Sequence, residues 1–127
     1  MKKILILIAL VSASLTQAQN IVQTRVIGNA FLTNALVVST KPTKLYSVTG
    51  YNSGSAQYVQ IFQTATNAPN GAVPVFSINV PAQSYFFYEF SYYGADLDKI
   101  SIANSTTAAT LTRGAADCGI QAIIRAN

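Results

Sequence analysis

Four carboxylates, Glu89, Asp96, Asp98 and Asp117, are this sequence's candidates for acid–base chemistry. The chain has no histidine, which removes the usual general base, the commonest metal ligand and every Ser-His or Cys-His nucleophile pair. With one cysteine and no histidine there is no ordinary zinc site either. A glycosidase would need two carboxyl groups at a set separation, and Glu89 facing an aspartate is the pair that would serve. Asp96 and Asp98, however, flank Leu97 in a stretch that reads as a turn, where aspartate bonds to nearby backbone. The same two groups offer a start to a calcium site, but calcium takes about six to eight oxygens and no other acid lies close in sequence. The sequence therefore predicts no enzyme, no catalytic or metal-binding residue and no cofactor.

What the sequence offers instead is surface. Tyr85 to Tyr93, Tyr-Phe-Phe-Tyr-Glu-Phe-Ser-Tyr-Tyr, places seven of the chain's thirteen aromatic residues in nine positions. A strand with one wet face is polar at every second position, and this one is aromatic on both. Glu89, the one charge in the run, marks the side nearer water, so Phe86, Tyr88, Phe90 and Tyr92 are expected in the core. Tyr85, Phe87, Glu89 and Tyr93 are the candidate contact residues. Three readings of that side stand together: a protein interface, which is rich in Tyr and Phe, a glycan-stacking surface, and a strand covered by a loop such as Asn29 to Thr43.

The elements that must hold this stretch are strands. Period-two runs recur about every ten residues, separated by Gly, Pro, Asn and Ser, and no segment after the N-terminal apolar run has helical periodicity. The runs are Ile21–Ile27, Phe31–Val38, Leu45–Tyr51, Gln57–Gln63, Val75–Val80, the aromatic run, Lys99–Ala103, Ala108–Thr112 and Cys118–Arg125. Asn52-Ser53-Gly54-Ser55 carries turn chemistry, so Leu45–Tyr51 and Gln57–Gln63 are expected to pair as a hairpin. Seven to nine short strands predict an all-β fold, a two-sheet antiparallel β-sandwich of jelly-roll type, with a small closed barrel as the alternative.

Lys2 and Lys3, the apolar run Ile4 to Val11 and the small residues of Thr16-Gln17-Ala18 have the layout of an export signal, with cleavage expected before Gln19. Eight apolar residues fall well short of the ~20 that span a bilayer. The expectation is a signal peptide at 1–18, a single domain at 19–127, secretion to the exterior or cell surface, and no membrane span in the mature chain. Net charge then drops from +4 for the whole chain to +2, because two of the eight basic residues leave with the signal. The remaining cations are scattered singly, too thin for nucleic acid. Cys118 permits no intrachain disulfide and reads as a small buried strand residue, a cross-link between subunits being the other option. Charged residues make up 9% of the chain, against about a quarter in an ordinary soluble domain, a surface that permits close packing between subunits.

The stretch Leu45 to Ile120 resembles a group of small β-sandwich proteins encoded in bacteriophage and environmental bacterial genomes, some associated with virions. The resemblance lies in Leu45-Tyr46-Ser47-Val48-Thr49-Gly50-Tyr51-Asn52-Ser53-Gly54, Tyr58-Val59-Gln60-Ile61-Phe62 and Pro74-Val75-Phe76-Ser77-Ile78-Asn79-Val80-Pro81, then in Gly94 through Ile102, Ser105-Thr106-Thr107 and Ala116-Asp117. It implies a non-enzymatic structural or decorating role and carries over no binding residues. An export signal is foreign to a capsid component assembled in the cytoplasm. The expected role is thus an exported subunit of a fibre, surface layer or virion-like decoration, a homo-oligomer or surface polymer acting by self-association. A carbohydrate-binding module using the exposed aromatics is the alternative.

Overall fold

The computed structural model describes residues 24–28 and 33–127. The expected signal peptide, residues 21–23 of the first predicted strand and Phe31 lie outside the described residues. Nine strands follow in order: β1 (Thr24–Gly28), β2 (Ala35–Ser39), β3 (Thr43–Asn52), β4 (Gln57–Phe62), β5 (Phe76–Val80), β6 (Ser84–Glu89), β7 (Ala95–Leu97), β8 (Ile100–Ser105) and β9 (Cys118–Ala126). All pairings are antiparallel. The first sheet runs β1-β9-β3-β6, with β7 also on β3, and the second runs β2-β8-β4-β5.

The pairs β1·β9, β2·β8, β3 with β6 and β7, and β4·β5 are those of one long hairpin centred between β4 and β5, wound so that successive pairs alternate between sheets. That winding is the jelly roll, and both sheets turn one apolar face inward. Alternation sets the core. Val59 and Ile61 of β4, Ile78 and Val80 of β5, Ile100 and Ile102 of β8, and Ile120, Ala122 and Ile124 of β9 join Leu36, Val38, Leu45 and Val48 between the sheets.

The expected hairpin of β3 and β4 does not form, since the two strands belong to different sheets. Asn52 explains the change. Its side chain is fully buried, donates to the carbonyls of Ser55 (2.8 Å) and Pro81 (2.9 Å) and accepts from the Gly54 amide (3.0 Å) and Gln57 Nε2 (2.8 Å). Those four bonds spend the turn chemistry of Asn52-Ser53-Gly54-Ser55 on a corner between sheets rather than on a hairpin.

Two shorter expectations also change. Ala95-Asp96-Leu97 is strand β7, because Asp96 pairs with Lys44 and Leu97 with Thr43 of β3; the turn begins only at Asp98. Ala108 to Thr112 is loop, and its job is cover. The Gly71 amide donates to the Leu111 carbonyl and the Leu111 amide to the Ala72 carbonyl (both 2.8 Å), locking the loop after β4 to the loop after β8. Arg113 reinforces the clasp through its guanidinium on the Ala68 carbonyl and its amide on Asn70 Oδ1. Beneath lies a second apolar cluster of Phe62, Ala68, Ala103 and Leu111. Gln60, buried beside it, donates to the carbonyls of Thr107 (2.8 Å) and Ala108 (2.9 Å). The loops thus cover the outer side of the two central strands of the second sheet, β4 and β8, while Ser77 and Asn79 of β5 and Val37 of β2 stay exposed at its margins.

Candidate interaction face

Among the described residues no loop lies over the aromatic outer face of the first sheet, and Tyr85 and Phe87 on it are exposed. Register defines what its outer face carries: Tyr85, Tyr51 and Gly119 lie in one row across β6, β3 and β9; Phe87, Thr49 and Gln121 in the next; Glu89, Ser47 and Ile123 in a third, extended by Val26 of β1. Tyr85 is 84% exposed and Phe87 66%. Tyr51 and Tyr85 stack at a tilt, ring centroids 4.8 Å apart, as a cross-strand aromatic pair does. The Thr49 hydroxyl donates to the Phe86 carbonyl at 2.9 Å, tying β6 to the sheet at the middle of the patch. Between Tyr51, Tyr85, Thr49 and Gln121 lies a shallow depression of about 290 Å³.

Three of the four predicted contact residues, Tyr85, Phe87 and Glu89, share this face, and all three are exposed. Tyr93 stands apart, on the turn that ends the strand. The aromatic run is not one continuous strand: β6 stops at Glu89, Ser91 adopts a positive φ of 75° and Gly94 one of 73°, and the chain turns before resuming as β7. Phe86 and Phe90 are buried as expected, but Tyr88 is 43% exposed at the sheet margin and Tyr92 is 87% exposed on the turn. The reason is edge position and the turn. Tyr88 follows the inward phase but has no neighbouring strand beyond it among the described residues and rests on Phe90, which packs edge-on against Phe76 of β5. Tyr92 lies past the point where alternation ends.

Tyr46 anchors this turn. Its carbonyl accepts from the Phe90 amide (2.8 Å), and its ring lies where a Cβ on Gly94 would be 3.2 Å away. Opposite, the β3–β9 register shifts between Leu45 and Ser47, so Tyr46 is also a bulge residue. The bulge turns Tyr46 outward while Leu45 and Val48 both stay buried, where unbroken alternation would put Tyr46 and Val48 on one face. Tyr46, Tyr92 and Tyr93 then line a second depression, about 430 Å³, with Thr24, Lys44 and Arg125. Lys44 holds both oxygens of Asp96, at 2.7 and 2.9 Å, and this ion pair lowers the Asp96 carboxyl below its ordinary value. Among the described residues the Arg125 guanidinium enters no ion pair.

Tyr46, Tyr51 and Arg125 could not be singled out from the sequence, because only the cross-strand register places them beside the aromatic run. Cys118 faces the core, fully buried, its sulfur accepting from Gln57 Nε2 at 3.2 Å. Burial, with a smaller contribution from the Asp117 charge, pushes its thiol up to about 11. Among the described residues no three His, Cys, Asp or Glu side chains gather as metal ligands do, and no helix is long and apolar enough to cross a membrane.

Comparison with protein-family models, curated proteins and solved structures finds no match to this chain. The functional reading therefore rests on the face itself.

Proposed function

We propose that the protein is a non-enzymatic exported structural subunit that acts by self-association, or by decorating a surface, through the outer face and free margin of its first sheet. One observation carries this reading: the clasped loops cover the two central strands, β4 and β8, of the second sheet, whereas the described residues leave the aromatic outer face of the first exposed at Tyr85 and Phe87. Among the described residues, five of the nine exposed large hydrophobic side chains lie between Tyr85 and Tyr93, and four of those, Tyr85, Phe87, Tyr92 and Tyr93, are on the outer side. A contiguous apolar patch rimmed by polar groups marks an interaction site, whereas scattered single residues do not. The low charge agrees with it, since few like charges need to be brought together when copies pack. The small phage and bacterial β-sandwich proteins that the sequence resembles suggest the same kind of role. Light scattering across a concentration series tests self-association: average mass should rise with concentration, and a constant monomer mass rejects self-association.

A second reading has its own observation. Tyr46, Tyr92 and Tyr93 around a depression with Arg125 at its rim offer rings for stacking on a sugar and a donor fork for its hydroxyl or carboxylate groups. Retention on a polysaccharide column that is lost in Tyr92→Ala and in Arg125→Gln would favour a glycan-binding module, and passage of the unaltered protein at buffer volume would reject it.

A further inference from the structure

The free margin of the first sheet is β6, which pairs with β3 alone among the described strands. The amide of Phe90 and the carbonyl of Phe86 both point to β3, the first bonding the Tyr46 carbonyl and the second accepting from Thr49. Backbone groups alternate sides along a strand. Tyr85, Phe87 and Glu89 must therefore turn their amides and carbonyls away from the sheet, toward solvent. Natural edges are commonly blocked by charged side chains, proline or a bulge; Ser84–Glu89 has no proline or bulge, and its one charge, Glu89, stands at its end.

We infer that two copies of this chain join by antiparallel pairing of β6 on β6, with Phe87 on the twofold axis, a pairing that rests on the self-association reading above. The limits of the strand choose the register. Left-handed residues bound it on both sides, Gln83 with φ 48° and Ser91 with φ 75°, and the two are equidistant from Phe87. With Phe87 opposite Phe87, Tyr85 of each copy meets Glu89 of the other, and all three outward-bonding residues find partners among themselves. Sliding either copy in either direction brings Gln83 or Ser91 into the ladder, where their backbone cannot extend it.

Charge selects the same arrangement. Each Glu89 carboxylate faces a tyrosine hydroxyl that can donate to it, and the two carboxylates stay apart at opposite ends of the pairing. Centring the axis on Glu89 would instead set like charges face to face, which destabilises a cross-strand pair. The result is one sheet continued through two molecules, its outer face carrying both Tyr51–Tyr85 pairs and both Phe87 rings.

Cysteine cross-linking of the purified full-length protein reads the register. Directly opposed residues that exchange backbone bonds have Cα atoms about 5.5 Å apart, within disulfide range. Phe87→Cys should form at least about tenfold more oxidised dimer than Tyr85→Cys or Glu89→Cys alone, whereas those two mixed should cross-link to each other. The buried Cys118 leaves the unaltered protein as a low-background control. Amide exchange supplies a readout without substitution: the Tyr85, Phe87 and Glu89 amides should be protected at high concentration and lose protection on dilution. If mass rises with concentration while Phe87→Cys gives no excess dimer and those amides stay unprotected, this pairing is overturned and self-association stands. If the protein is monomeric throughout, both fail.

Discussion

The Tyr46 carbonyl accepts the Phe90 amide at 2.8 Å, and at that contact both edges of β3 lose their regular register. On one side β6 ends at Glu89, opposite Ser47, and β7 begins at Ala95, opposite Leu45, so the five residues Phe90 to Gly94 are set against Tyr46 alone. On the other side the β9 ladder shifts between Leu45 and Ser47. A single point on the central strand thus lifts Tyr46, Tyr92 and Tyr93 onto the same outer side as Tyr85 and Phe87.

The turn depends on Gly94, whose φ of 73° an L side chain tolerates poorly and whose Cβ would meet the Leu45 carbonyl and the Tyr46 ring, each at 3.2 Å. Gly94→Ala should cost about 1–2 kcal/mol from backbone conformation alone, read as a lower urea midpoint. Tyr92 and Tyr93 fluorescence should change with it. Unaltered stability would show that the turn is not held as described.

Gly50 makes a different demand. It lies between Phe86 and Ile120 in register, and a Cβ there would run into the Gly119 carbonyl and the Phe86 ring. Gly50→Ala should destabilise by about 3 kcal/mol, the upper part of the overpacking range, with a matching fall in chemical-denaturation stability. Because the obstacle is backbone, shortening Phe86 to Leu in the same chain should recover only part of the loss.

Cys118 gives the fold an alkaline limit. Its thiol is raised in the folded state to about 11 from a reference value of 9.0, so its contribution is fully present below pH 9 and is lost as pH rises toward 11. The loss should be no more than about 3 kcal/mol, and it should vanish in Cys118→Ala measured over the same range. Native protein at pH 8 should resist iodoacetamide and react once unfolded; rapid native labelling would contradict the burial.

Asp96 titrates the other way. Its hydrogen bond and charge contact with Lys44 hold the carboxyl below its reference value of 3.8, so the interaction is present above that value and is lost as pH falls through the lowered folded one. Carbon-detected NMR should place the Asp96 midpoint below that of an exposed aspartate, and Lys44→Met should return it to the ordinary range. An unchanged midpoint in Lys44→Met would remove the ion pair from the account.

Much of this fold was legible because period-two burial is written directly into the chain: Val59/Ile61, Ile78/Val80, Ile100/Ile102 and Ile120/Ala122/Ile124 all face inward as their spacing requires. Partnership between strands was not legible. Asn52-Ser53-Gly54-Ser55 has the composition of a hairpin turn, and only the inward rotation of Asn52 onto Pro81 and Gln57, a long-range event, turns it into a corner. Tyr88 and Tyr92 show the same limit, since alternation states which side a residue takes but not that the strand is at an edge or has ended. Tyr85, Phe87 and Glu89 could be read because one charge in an aromatic run marks the wet side. Tyr46 and Arg125 carry no such mark.

The most direct measurement is average mass by light scattering for three chains at matched concentration: the unaltered protein, the double variant Tyr85→Ser/Phe87→Ser, and Val73→Ser. Val73 is an exposed apolar residue of the loop after β4, the loop clasped over the second sheet, away from the bare face. The unaltered protein and Val73→Ser should assemble alike, and the double variant should remain monomeric while keeping the same circular dichroism spectrum. Equal masses for all three chains, or a monomer throughout, would contradict the assignment of the first sheet's outer face as the contact surface.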